Sequence, residues 1–199
     1  MKKLIVFIGL LHFCALSAQN WTADDAKAFQ LNLNAEFADA KQSPLEKSDL
    51  KKFSGLDFYP VSAKYAVKAR FVRTDNQKPF GMKTSTARLP MYVKYGVLYF
   101  ELDGKKCQLN LYQNQELIKK PGYEDHLFLP FSDLTSGKQT YIGGRYIDMK
   151  KPKTNEVLID FNTAYNPYCA YNHQYSCPIV PLENDLPVAI EAGVKKFHY

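Results

Sequence analysis

The stretch VLYFELDGKKCQLNLY, residues 97–112, decides the fold class. Apolar and polar residues alternate on both sides of Asp103-Gly104. That dipeptide is a strong signal for a two-residue type I′ hairpin turn, because both central residues of such a turn need positive φ. Folding the arms about it sets Phe100 opposite Cys107 and Leu98 opposite Leu109 on one face. The same register sets Glu101 opposite Lys106 and Tyr99 opposite Gln108 on the other. One face is apolar and the other polar, so a slip of one residue would turn every side chain the wrong way. The segment reads as an antiparallel hairpin with one wet face.

Outward from the hairpin the period of two recurs. Tyr65, Val67, Ala69 and Phe71 alternate with Ala66, Lys68, Arg70 and Val72, which spells a half-buried strand. Residues 81–88 and 90–95 pattern similarly, and further strands are expected at 126–130, 140–148, 156–162 and 186–192. The charged run Lys150-Lys151-Pro152-Lys153-Thr154-Asn155 reads as a solvated hairpin tip. That reading makes 140–148 and 156–162 antiparallel neighbours and brings Arg145 near Asp160, as a buried or half-buried ion pair anchoring the loop that contains Cys169 and Cys177.

Before residue 65 the period is helical. Thr22 can cap a helix over 22–41, with Asp24 and Asp25 in its first turn and Phe29, Leu33 and Phe37 as its apolar stripe. Ser43-Pro44 has the grammar of a second, short helix start. The expected architecture is mainly β (α+β): an antiparallel β-sandwich or partly open barrel with one or two N-terminal helices, residues 20–199 forming one domain.

Composition agrees with a globular chain. Of 199 residues, 46% are hydrophobic and 23% charged, and fourteen Tyr with thirteen Phe exclude a disordered class. Ten Gly and eleven Pro without a period exclude a collagen-like one. Mean hydropathy is −0.35 and the only long apolar run lies at the start, which excludes a multi-spanning membrane protein. The net charge of +6 concerns solubility and is no nucleic-acid footprint.

Residues 1–19 read as a signal peptide. Met1-Lys2-Lys3 is a positive n-region, residues 4–11 are apolar, and Ala15-Leu16-Ser17-Ala18-Gln19 offers small residues for cleavage. The destination is the periplasm or the extracellular space, and no membrane-spanning segment remains after cleavage. Export sets how the cysteines read. Cys14 leaves with the signal, and Cys169 and Cys177 are the natural disulfide pair in an oxidising compartment, with Cys107 as a small buried hydrophobe. Cys169, His173 and Cys177 also spell a thiolate–imidazole set, but the spacing is unlike common zinc sites, so no metal or cofactor is expected.

Nucleophile elbows, His-Glu-x-x-His and Walker loops are absent, and Gly143-Gly144 reads as a place where the backbone bends or packs closely. What stands out are two polar and aromatic blocks, FSDLTSGKQTYIGGRYIDM at 131–149 and VLIDFNTAYNPYCAYNHQYSCPIVPLENDLPVAIEAG at 157–193. They resemble the family called domain of unknown function 1684, in their T-S-G, T-Y and G-R-Y spacing, their D-F-N-x-A-Y-N-P-x-C-A-Y loop, and their E-N-x-L-P-V-x-I-x-A-G ending. The resemblance covers about residues 45–199, with one departure at Val194, where the family carries Glu. It implies one domain. The family's label names no activity, so it carries over no catalytic residue.

The residues themselves supply the candidates. Asp133, Arg145, Tyr146, Asp160, Asn162, Tyr165, Asn166, Glu183 and Asn184 form the candidate ligand-binding set. Arg145, Asp148, Asp160, Asn162 and Asn166 can equally form a buried network that pins the loop 163–185. Tyr141, Tyr146, Tyr165, Tyr168, Tyr171 and Tyr175 are able to line a groove for a small molecule or glycan. Two function classes follow: an exported ligand-binding or structural domain, or a hydrolase-type enzyme placing Asp133, Arg145, Asp160, Asn162 and Glu183 in one polar cleft.

Overall fold

A computed structural model describes residues 21–197, so the expected signal segment lies outside the described residues. The chain runs α1 (Ala23–Ala38), α2 (Lys47–Leu50), β1 (Ala66–Arg73), β2 (Phe80–Gly81), β3 (Met91–Leu102), β4 (Lys105–Asn114), β5 (His126–Phe131), β6 (Arg145–Lys150) and β7 (Glu156–Asp160). These strands make one antiparallel sheet of order β6-β5-β4-β3-β1-β7, with β2 added to β3. The sheet curls into a half-barrel. Of the two architectures expected, the partly open barrel is the one that forms.

The β3–β4 hairpin takes the expected register: Leu98 faces Leu109, Tyr99 faces Gln108, Phe100 faces Cys107 and Glu101 faces Lys106. Asp103 and Gly104 both have positive φ, 51° and 70°, as a type I′ turn requires. Leu98, Phe100, Cys107 and Leu109 are buried in the main core, while Glu101, Lys106, Gln108 and Tyr99 are exposed. The alternation of β1 also holds, since Tyr65, Val67, Ala69 and Phe71 join the same core.

Four expectations are corrected. The segment 81–88 is largely irregular, and 90–95 instead opens the long strand β3. Strand β6 begins at Arg145 because the chain turns before it. Gly144 sits at φ +81°, where a Cβ would lie 2.5 Å from the Phe131 carbonyl oxygen. Ser43-Pro44 does not open the second helix; α2 starts after Glu46 and lasts four residues. Finally, β6 and β7 are not paired. They lie at opposite ends of the strand order, β6 against β5 and β7 against β1.

That last correction explains the curvature. Residues 151–155 must connect the two outermost strands, and so short a link reaches no more than about 20 Å. The sheet edges therefore have to approach each other. Just after β7, the chain swings back to close the gap: Tyr165 and Tyr146 exchange backbone hydrogen bonds of 2.9 and 3.0 Å.

Helix α1 is capped as expected, the Asp25 N–H donating to Thr22 Oγ1 at 3.3 Å. Its stripe ends at buried Phe37, which packs with Leu45, Leu56, Tyr171 and Val194 in a second cluster. The outer face of the sheet carries a third cluster of Met82, Tyr92, Tyr112, Phe128 and Tyr146.

The hairpin turn can be tested directly. A Cβ at Gly104 meets nothing within 4 Å, so its φ of +70° is the constraint on substitution. Gly104→Val is expected to destabilise the domain by about 1–2 kcal/mol, the cost of a left-handed conformation for an L residue. Urea denaturation measures this, and unchanged stability would show that the turn tolerates a β-branched residue.

Candidate functional site

The largest fully buried side chain is that of Arg145. It points inward from the first position of β6, where Ile147 and Met149 point the same way into the main core. Its Nη2 donates to Asp133 Oδ2 at 2.8 Å and to the Ile190 carbonyl at 2.8 Å. Its Nη1 donates to the Ala192 carbonyl and, at 3.4 Å, to that of Val194. Asp133 completes the arrangement, its Oδ1 accepting the Ile190 N–H at 3.2 Å and the Thr135 N–H at 2.7 Å. Burial pulls the guanidinium pKa down and the Asp133 charge opposes that. Asp133, not Asp160, is thus the partner of Arg145. The expected pairing fails because β6 and β7 are on opposite edges.

The segment 186–192 shows the same economy of means. It was expected as a strand, and its alternation is real: Leu186, Val188, Ile190 and Ala192 all enter the core. It joins no named strand: Leu186 N–H and the Val188 carbonyl bond the backbone of residues 132–134, and the Arg145–Asp133 unit takes up the Ile190 and Ala192 carbonyls and the Ile190 N–H. Val194, the departure from the family pattern, is itself buried and bridges Phe58.

The other candidates divide in three. Asn162, Asn184 and Asn166 are buried and bind backbone. Asn162 Oδ1 accepts the Ser62 N–H at 2.9 Å while its Nδ2 donates to the Ser62 carbonyl at 3.0 Å. Asn184 treats Asn110 alike, at 2.8 and 2.9 Å, and also donates to the Pro130 carbonyl at 2.6 Å. Asn166 donates to the Lys195 carbonyl at 2.9 Å. Asp160 is half-buried and accepts the Trp21 indole N–H at 2.8 Å and the Asn162 amide at 2.7 Å. Glu183 is exposed. Asp133, Asp160 and Glu183 share no hydrogen-bond partner among the described residues.

Tyr146 and Tyr165 lie on the outer face, and they lead to a groove that sequence reasoning missed. Gly122, Tyr123, Glu124, Asp125, His126, Asp148, Met149 and Lys150 enclose about 340 Å³ open to solvent. Pairing of β5 with β6 sets His126 opposite Lys150 and Phe128 opposite Asp148, so His126 and Asp148 are diagonal neighbours on one face. His126 Nε2 contacts Asp148 Oδ1 at 2.9 Å, and the Tyr165 hydroxyl donates to Oδ2 at 2.9 Å. Burial first, and then the Asp148 charge, hold the Tyr165 hydroxyl well above the ordinary tyrosine range, so it stays a donor. Nδ1 of His126 is buried without a hydrogen-bond partner among the described residues. The Tyr123 ring leans edge-on against His126 at 6.0 Å. No local motif marks this site; only the β5–β6 register brings it together.

Cys169 and Cys177, expected as a disulfide, are free thiols. They nevertheless meet: the Cys169 N–H donates to Cys177 Sγ at 3.1 Å. Cys177 is fixed from the other side, its N–H donating to Ser85 Oγ at 3.2 Å and its carbonyl accepting the Ser85 N–H at 2.9 Å. These bonds fix the backbone of Cys177, and its sulfur lies within hydrogen-bonding range of the Cys169 N–H. His173 is exposed, and among the described residues no cluster of His, Cys, Asp or Glu is placed to hold a metal ion.

Fold and site together define a β-rich half-barrel domain with a filled interior, a buried arginine pin and an open groove on its outer face. The chain belongs to the family described as "Protein of unknown function (DUF1684)", whose model matches residues 51–195. It is similar in structure to an uncharacterized protein from gene locus rrnAC0354 of Haloarcula marismortui, known from solution NMR. The two are 30% identical with a TM-score of 0.68, covering 86% of this chain and 92% of that one. No curated protein matches the sequence.

Two double-mutant cycles separate the observed pin from the expected one. Asp133→Ala is expected to cost about 3 kcal/mol or more, because it strands a buried guanidinium. With Arg145→Met it should show a coupling of about 1 kcal/mol or more, whereas Asp160→Ala with Arg145→Met should be additive within about 0.5 kcal/mol. Denaturant midpoints decide it, and a coupled Asp160–Arg145 pair would overturn the assignment.

Proposed function

We propose that this chain is an exported binding domain whose ligand is a polyhydroxylated small molecule, such as a glycan unit, seated in the Tyr123–His126–Asp148 groove. The observation that carries this reading is the state of Asp148. Its side chain is 52% exposed, yet each of its oxygens is already oriented, one by His126 and the other by Tyr165. A carboxylate so held offers its remaining lone pairs to hydroxyl donors with little left to order. Tyr123, 47% exposed, presents an aromatic surface beside it, and apolar faces with a few fixed polar groups are how small ligands are seated. The groups sit on or beside paired strands, which hold them to a defined geometry. The hydrolase-type alternative has no specific observation in its favour, since Asp133 is sealed with Arg145 and Glu183 is exposed elsewhere.

Export rests on the n-region, apolar run and small residues of the first nineteen positions. Trp21 donates its indole N–H to Asp160, so cleavage between Ala18 and Trp21 would leave this first anchor of the domain intact. N-terminal mass analysis of the exported protein should find its first residue in that interval; an intact Met1 would defeat the export reading.

Binding is tested by thermal shift against a panel of neutral mono- and disaccharides, since a ligand of the native state raises the melting temperature by mass action. Tyr123→Ala should weaken the best binder about fivefold, the ~1 kcal/mol expected of a ring contact. Asp148→Asn should weaken it about tenfold or more, through loss of a charged acceptor. A panel that leaves the melting temperature unmoved, or variants that bind as well as wild type, would overturn the assignment.

A further inference from the structure

A second locus on the outer face shares no lining residue with the groove. Cys169 and Cys177 are eight positions apart; the start of their intervening loop is held by local bonds, Asn172 N–H to the Tyr168 carbonyl and Tyr175 N–H to the Asn172 carbonyl, and its end is tied to residues 84–88. Cys169 is half-exposed, while Cys177 is 8% exposed and anchored to Ser85. The Tyr141 hydroxyl lies 3.9 Å from Cys169 Sγ, a second polar hydrogen near that sulfur. The two thiols therefore differ in role by position: one reachable, one held behind it in contact.

We infer that Cys169 and Cys177 form a thiol–disulfide exchange site, with Cys169 as the attacking sulfur, Cys177 as the resolving one, and a small-molecule or protein disulfide as the oxidant. The Cys169 thiolate attacks one sulfur of the partner disulfide, forming a mixed disulfide and expelling the other sulfur as a thiolate. Cys177 passes its proton to that thiolate and attacks Cys169 Sγ, expelling the second partner sulfur as a thiolate. Two protein sulfurs are oxidised to one disulfide and the partner disulfide is reduced to a thiol and a thiolate. The electrostatics agree with these roles. Hydrogen bonding from Cys177 draws the Cys169 thiol down to about 6, and the same contact together with burial pushes Cys177 up. The Cys169 N–H bond to Cys177 Sγ acts the other way on Cys177, so the greater exposure of Cys169 is what makes it the attacking sulfur.

Closure would join two parts of the fold. Tyr168 and Tyr171, flanking Cys169, seat helix α1 through Glu36 and Phe37. Ser176, beside Cys177, is gripped by Arg88, whose Nη2 donates to the Ser176 carbonyl at 2.6 Å. The disulfide would staple the helix seat to the 84–88 strap.

The reduced full chain is incubated with oxidised glutathione at pH 7, quenched by alkylation and mapped by mass spectrometry. A linked Cys169–Cys177 peptide is expected, with Cys107 left as a thiol. Cys177→Ser should trap glutathione on Cys169, and Cys169→Ser should take it up at Cys177 about tenfold more slowly, because that sulfur is buried and protonated. In the wild type, which needs no folded variant, alkylation of Cys169 should rise with a midpoint near pH 6. Absence of the linked peptide, equal reactivity of the two sulfurs, or a Cys169 midpoint above pH 8 would overturn the inference.

Discussion

Arg145 stands where a strand is missing. The C-terminal segment runs through the core with Leu186, Val188, Ile190 and Ala192 turned inward, and such a segment needs partners for its backbone. A guanidinium donating to the carbonyls of Ile190 and Ala192, with Asp133 accepting the Ile190 N–H, supplies them. The carboxylate also neutralises the cation whose burial the arrangement demands. Removing either group would strand the other and the backbone together. That double dependence is why a charged residue can be the largest fully buried side chain among the described residues.

The same device recurs at smaller scale. Asn162 and Asn184 each offer one side-chain amide to both the N–H and the carbonyl of a single residue, Ser62 and Asn110 respectively. Asn184 also reaches the carbonyl of Pro130, a residue that has no N–H to give to a ladder. Strands β4 and β5 share one paired position, Tyr112 with Phe128, so this amide bridges a place where the ladder is thin. Side chains acting as backbone partners let a half-barrel be filled and closed without an eighth strand. They also commit Arg145, Asp133, Asn162 and Asn184 to partners inside the fold.

What the sequence made legible follows from how local each feature is. The hairpin register is written within sixteen residues, because Asp103-Gly104 and the alternation around it specify one another. The Thr22 cap and the stripe ending at Phe37 are equally local. The polarity of the 131–149 and 157–193 blocks marked Arg145, Asp133, Asn162 and Asn184 as important, but their partners depend on topology. Treating residues 150–155 as a hairpin tip assumed that adjacent strands pair. In a curled sheet the two edges also come close, and a short link can join them without a ladder. The Arg145–Asp160 pairing failed for that reason, and the groove was hidden for the same one: nothing local ties His126 to Asp148 until β5 and β6 are set side by side.

The closure of the barrel also decides how the two outer-face loci are placed. Tyr146 and Tyr165 exchange the backbone bonds that join β6 to the chain beyond β7, and their rings meet edge to face at 5.9 Å. From this shared wall each tyrosine reaches one locus: the Tyr165 hydroxyl holds Asp148 in the groove, and the Tyr146 hydroxyl donates to the Pro178 carbonyl next to Cys177. Burial pushes both hydroxyls up, so both remain proton donors across the physiological range. A phenylalanine at either position could keep much of the ring packing and would lose the donor. The tyrosines thus do two jobs with one side chain, the ring sealing the barrel seam and the hydroxyl orienting a group outside it, which sets the carboxylate and the thiol pair on a common rigid support.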